Sequence, residues 1–171
     1  VVHRFADPTY AELSVRMRRG ESVFHDLWER GQIRLHASEP ERLDALAADT
    51  ADAILAGRSR ETLMADSREQ VTGLNGAIRD RLVAAGRVDD RRVVVNQTGE
   101  RLGVGDRVAT RRNDWQLGVA NRQTWTITAI DDDATVTLRN DHGQTRDLPG
   151  WYAEGWVELA YATTVYGAQG E

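Results

Sequence analysis

The hydrophobic period of this 171-residue chain changes once, near Arg91, and that change constrains its architecture more than any other feature. Before it, apolar residues recur at three- and four-residue steps between short strand-like stretches; after it they alternate. Alternation of strand and helix predicts a parallel α/β sheet, whereas a run of short alternating strands predicts a small antiparallel barrel. The chain therefore reads as an α/β domain interrupted by a β insertion.

In the helical half, Asp7 and Pro8 form the start of a helix over residues 10–19, with Leu13 and Met17 on one face and Gly20 as its stop. Val23, Phe24, Leu27 and Trp28 predict a second helix ending at Gly31, and Ile33, Leu35 and Ala37 alternate like a half-buried strand. Ser38, Pro40 and Glu41 begin a longer amphipathic helix carrying Leu43, Leu46, Ala47, Ile54 and Leu55 up to Gly57. Residues 62–65 read as a short buried strand. Ser67 with Gln70 is a capping box, followed by Val71, Leu74, Ile78 and Leu82 on one helix face.

In the β half, Val93, Val95, Val108, residues 125–130 and residues 135–138 alternate, with turn residues at Gly99, Gly103, Gly105, 131–133 and 140–143. That spacing suits a five-stranded barrel of the Src-homology-3 type. After Pro149 one more strand is expected over 157–162, then a polar, glycine-bearing segment over 163–171. The expected organisation is 1–98 for the first part of the α/β domain, 99–154 for the barrel and 155–171 for the return to the first domain. No internal repeat or flexible linker separates them.

Composition narrows the chemistry. With 40% hydrophobic and 29% charged residues the chain has enough apolar material for a core. It has no apolar run near the ~18 residues of a membrane span and no charged-then-apolar leader, so a cytoplasmic protein without a membrane partner is expected. There is no cysteine, and His3, His25, His36 and His142 lack metal-ligand spacing, so no metal site is expected. A net charge of -5 means that any nucleic-acid contact is local. All 22 basic residues are arginine, which leaves no lysine for a P-loop.

Three segments, in order, carry a family resemblance: Val2-His3-Arg4-Phe5 with Asp7-Pro8; Leu63-Met64-Ala65-Asp66 with Asn75 and Arg79 on the helix after it; and Tyr161-Ala162-Thr163-Thr164-Val165-Tyr166-Gly167-Ala168-Gln169-Gly170-Glu171. Within the β half, Gly105-Asp106-Arg107-Val108 and Arg111-Arg112-Asn113-Asp114 add to it. So arranged, the chain resembles the second RecA-like domain of RecD-like superfamily-one DNA helicases, as in the helicase half of conjugative relaxases of the TraA and TrwC kind, with its inserted barrel. It departs from them where many relatives carry histidine and a basic residue and this chain has Tyr166 and Gly167.

The resemblance implies an ATP-dependent motor on single-stranded DNA. Arg4 would be catalytic, reaching across a cleft to the γ phosphate, where a fixed guanidinium charge suits phosphoryl transfer. Gly170 and Glu171 would lie at the nucleotide. Thr163, Thr164 and Gln169 would contact DNA, as would Arg111, Arg112, Asn113 and Trp115 of the barrel, with Arg122 a further phosphate candidate. ATP and magnesium would serve the full-length protein, with none held by this fragment alone. A first motor domain carrying the P-loop would be a partner, and without it no hydrolysis is expected.

Plainer readings stand beside these. Arg4 also reads as a surface residue, Asn75 and Arg79 as a solvated polar pair rather than DNA contacts, and the tail as a polar strand-to-helix turn. Trp125 alternates with Ile127 and reads as core, leaving Trp115 as the stacking candidate. Between Glu100 and Trp125 five arginines face three acids, so the β half is locally basic. That also fits the alternative function, a non-catalytic module binding nucleic acid or protein through the barrel. No nucleophile–base–acid set supports an independent enzyme.

Overall fold

The computed structural model describes residues 7–58 and 63–168. The chain divides into two compact units, residues 1–42 and 43–171. In the first, helix α1 (Pro8–Arg18) starts where the Asp7 carboxylate accepts the Thr9 N–H at 2.9 Å. Helix α2 (Phe24–Glu29) follows. Leu13 and Val23 are buried. The strand expected at residues 33–37 does not form. Leu35 is 72% exposed and no strand pairs with the segment, so its backbone groups lack the ladder a strand requires. Helix α3 (Glu39–Leu55) begins at the end of this unit and runs into the next.

The second unit is mixed α/β. Strand β1 (Leu63–Ala65) leads into helix α4 (Arg68–Ala84), whose capping box is complete: the Ser67 hydroxyl accepts the Gln70 N–H at 3.2 Å and the Gln70 side chain accepts the Ser67 N–H at 3.4 Å. Leu74, Ile78 and Leu82 bury one face of α4 in a core that also takes Ala47 and Ala51 from α3. Strand β9 (Ala162–Thr164) pairs with β1 in parallel, placing Met64 opposite Thr163 and Ala65 opposite Thr164. Parallel neighbours need a long crossover. Here the crossover contains the whole β half, so strands distant in sequence meet in one sheet.

That β half begins with a hairpin of β2 (Asp89–Val95) and β3 (Arg101–Val104), irregular between Asp89 and Val93. Next come β4 (Arg107–Thr110), β5 (Thr124–Ile130), β6 (Val136–Arg139) and β7 (Thr145–Leu148), then helix α5 (Gly150–Trp156) and β8 (Val157–Leu159). Five of these strands form one antiparallel sheet in the order β7-β6-β5-β4-β8. Trp125, as its alternation implied, is buried with Ile127, Val136, Leu138 and Leu148.

The expected barrel does not close. Among the described residues β7 and β8 stay unpaired edges of the sheet. The chain between them is helical, and Tyr152 and Ala153 of α5 are fully buried. Short turn of helix α6 (Val165–Ala168) follows β9. No helix among the described residues is long and apolar enough to cross a membrane.

Glu100 ties the hairpin to β8. Its Oε2 accepts the Asn96 side-chain amide at 2.8 Å and the Leu159 N–H at 3.1 Å. Burial, the largest influence, raises its pKa above the ordinary 4.5, aided by Glu158 and opposed by those hydrogen bonds and by Arg111. A carboxyl raised on folding contributes stability that is present below its unfolded pKa and lost as pH rises through the folded value. Urea midpoints should therefore decline as pH rises above about 4.5 through this group. The Glu100→Gln variant keeps an acceptor without the charge and should flatten that decline; an unchanged pH profile would contradict the assignment.

Candidate nucleic-acid interface

A buried polar frame holds β9 in place. The sequence leaves Asn75 and Arg79 as either solvated or DNA-facing, and the structure corrects both readings: they are 2% and 5% exposed. Asn75 donates to the Leu159 carbonyl at 3.0 Å and accepts the Ala162 N–H at 2.8 Å, joining α4 to the chain on either side of Tyr161. Arg79 donates to Asp106 Oδ2 at 2.8 Å and to Asp90 Oδ1 at 2.7 Å.

Asp106, fully buried in the turn between β3 and β4, also accepts the Gly103 N–H at 2.7 Å and the Tyr161 hydroxyl at 2.6 Å. That hydroxyl in turn accepts the Arg107 N–H at 3.4 Å. Burial and the neighbouring Asp106 carboxylate push the Tyr161 pKa far up, so the phenol stays a donor. Burial opposes the Arg79 charge, but its two carboxylate partners outweigh that and raise its pKa. A Cβ at Gly103 would run into the Asp89 carbonyl and approach the Arg79 guanidinium, so only glycine admits the arginine this closely.

On this frame sits a cleft. Arg107, Arg111, Thr124, Tyr161 and Thr163 line it, together with Arg122 from the loop before β5. Arg111 donates to Glu158 at 2.6 Å. Arg122 donates to the Gly167 carbonyl at 3.3 Å. It does so with a φ of 68°, a left-handed conformation rare outside glycine, held in part by its N–H bond to the Thr110 carbonyl at 2.7 Å. Thr164 Oγ1 accepts the Gly167 N–H at 3.1 Å and fixes the turn after β9. The arrangement offers guanidinium and hydroxyl donors to an anion.

The loop between β4 and β5 is braced throughout. The Tyr152 hydroxyl donates to the Arg112 carbonyl, and the Arg112 guanidinium lies 5.1 Å from the centroid of Trp156. Asn113 Oδ1 accepts the Asn121 N–H at 2.7 Å. Asp114 and Val119 exchange backbone bonds at 2.9 and 3.0 Å, and Arg146 donates to the Gly118 carbonyl at 3.0 Å. From this braced loop Trp115 projects, 90% exposed. Among the described residues no group of three His, Asp or Glu side chains suits a metal ion.

Of the residues singled out by sequence, Arg111, Arg122 and Thr163 meet in the cleft, with Thr164 beside it. Arg112, Asn113 and Trp115 share the braced loop, where the Asn113 side-chain oxygen is occupied in bracing. Arg4, Gln169, Gly170 and Glu171 lie outside the described residues. Sequence reasoning missed Arg107, Thr124 and the Asp106–Tyr161 pair. The Gly105-Asp106 turn was visible, but a hydrophobic pattern carries no sign that its carboxylate is buried.

No family model matches the sequence. A stretch of 72 residues, 41% of this chain, is 44% identical to the multifunctional conjugation protein TraI of Escherichia coli K12, and a second Escherichia coli TraI matches to the same extent. The chain spans only 4% of the length of these curated relatives. Two crystal structures of Bacteroides Pif1 share its fold. Pif1 bound to single-stranded DNA aligns over 99% of this chain and 42% of that one with a TM-score of 0.61 and 17% identity. The Pif1 helicase with ADP-AlF3 and single-stranded DNA aligns over 98% and 42% with a TM-score of 0.54 and 17% identity. Over nearly its whole length the chain therefore shares the fold of part of Pif1.

Proposed function

We propose that this chain is part of an ATP-dependent DNA helicase of the RecD-like kind, contributing the second half of the ATP cleft and a section of the single-stranded DNA track. The observation that carries the reading is the parallel pairing of β1 with β9, which sets Thr163 beside an arginine-lined cleft. The single-stranded DNA in the related Pif1 structures supports the same partner here. Arg111 and Arg122, with the Thr163 hydroxyl, meet backbone phosphates. Arg112 adds charge, and Trp115 stacks on a base. Asn113 orders the loop, and Thr164 shapes the turn that leads to Gln169, a further DNA contact.

In this reading Arg4 is catalytic at the γ phosphate of ATP, and Gly170 and Glu171 lie at the nucleotide. A first motor domain supplies the P-loop and the magnesium site, so the chain alone neither holds ATP nor hydrolyses it. In this reading the open five-stranded sheet, which includes β8 beyond the expected limit of 154, takes the place of the inserted Src-homology-3-like element.

Binding of labelled oligo(dT) across a salt series tests the track. Affinity should fall steeply with salt, and Arg111→Ala and Arg122→Ala should each weaken binding and reduce the logarithmic salt slope by about one. Binding that ignores both salt and these substitutions would rule the cleft out as a phosphate path.

A further inference from the structure

Arg122 stands just before β5 with a φ of 68°, in the left-handed region that glycine would occupy without strain. The fold over-determines that backbone. Thr110, fully buried in β4, donates its N–H to the Gln123 carbonyl at 3.0 Å and its hydroxyl to the Ala120 carbonyl, while its own carbonyl accepts the Arg122 N–H at 2.7 Å. Gln123 Oε1 closes the turn by accepting the Ala120 N–H at 2.8 Å. What arginine adds over glycine here is a side chain, and that side chain donates to the carbonyl of Gly167, with which it lines the cleft. Gly167 is also held by β9. Its N–H donates to Thr164 Oγ1 at 3.1 Å, and a Cβ on it would fall 2.5 Å from Thr163 Oγ1. Two hydroxyls of β9 and an arginine from the loop before β5 thus converge on one glycine of the turn.

We propose that Arg122 is a positioning residue that passes occupancy of the cleft to the turn after β9: an anion seated there takes the remaining donors of its guanidinium and so steadies its bond to Gly167. The inference rests on the proposed single-stranded DNA track, whose phosphates supply the anion, and adds control of the turn to it. A guanidinium offers five donors in a planar fork, and among the described residues only the Gly167 carbonyl engages those of Arg122. A phosphate on one edge of the fork leaves the carbonyl on the other in place. It removes rotamer freedom from a half-restrained side chain, and a bond made by an ordered side chain is kept more of the time. Arg111 does not share this part, because its partner is the Glu158 carboxylate of β8 rather than the turn.

Hydrogen exchange of the amides at 165–167, read by mass spectrometry on the 171-residue chain with and without saturating oligo(dT), tests the link. In the native chain oligo(dT) should slow their exchange roughly 5-fold or more. Arg122→Gly at saturation should lose the slowing, with a urea midpoint at or above native because glycine accepts that backbone freely. Arg122→Asn, which also tolerates the left-handed region but has no guanidinium, should behave alike. Arg111→Ala should weaken binding yet keep the slowing once saturated. Slowing that survives in both Arg122 variants would show that DNA reaches the turn by another route and overturn the proposal. Slowing lost equally in Arg111→Ala would make it a property of the whole cleft, and a lowered midpoint in both Arg122 variants would make the arginine a support of the fold; either overturns it. A native chain that binds oligo(dT) without slowing overturns the link while the track stands, and one that does not bind overturns both.

Discussion

Joined to a first motor domain that carries a P-loop, the Arg4→Ala variant should turn over ATP about 10³–10⁵-fold more slowly, with little change in nucleotide affinity. The asymmetry follows from where the charge acts. A guanidinium reaching the γ phosphate meets charge that develops as the phosphoryl group transfers, so its removal lowers kcat far more than ground-state binding. Arg4→Lys should rescue little, because an ammonium cannot reproduce the planar fork of donors. Steady-state hydrolysis at saturating ATP and oligo(dT), beside direct nucleotide binding, separates the two effects. A normal kcat would remove Arg4 from the site.

Removing the Asp106 carboxylate should cause the largest loss of stability, about 3–5 kcal/mol in urea or thermal unfolding of Asp106→Ala. Asp106 compensates Arg79, which is 5% exposed, and accepts the Gly103 N–H and the Tyr161 hydroxyl. Without it a buried cation keeps only Asp90 as a charged partner, and two further donors lose their acceptor. Tyr161→Phe removes a single hydroxyl from the same frame and should cost about 1 kcal/mol. Near-equal effects of the two variants would show that Asp106 is not the hub. Because Tyr161 and Arg107 both line the cleft, this frame couples the stability of the domain to the shape of that cleft.

Sequence patterning revealed what local rules govern. Ser67 and Gln70 announce α4, the spacing of Leu74, Ile78 and Leu82 gives its buried face, and the alternation about Trp125 places that ring inside. It fails where long-range contacts decide. Leu35 alternates like a strand residue but finds no partner strand, and five strands compatible with a barrel form an open sheet whose edge strands β7 and β8 are joined through α5. Asn75 and Arg79 share a helix face whether solvated or buried, and only the arrival of Asp106 and of the chain on either side of Tyr161 settles which. Of the site, Arg111, Trp115 and Thr163 were legible as residue types in a suggestive order. The left-handed Arg122 backbone and the Arg107 wall of the cleft arise from tertiary closure, which no period in the sequence encodes.

A motor segment and a passive binding module differ in what β9 does for hydrolysis. The most direct measurement is DNA-stimulated ATP hydrolysis by this chain joined to its P-loop partner, with and without Thr163→Ala and Thr164→Ala. The motor account predicts stimulation in the native protein and its loss in the double variant, with DNA-independent turnover kept. Stimulation that persists in the double variant, while Arg111→Ala with Arg112→Ala abolishes DNA binding alone, would contradict it and leave a binding module in its place.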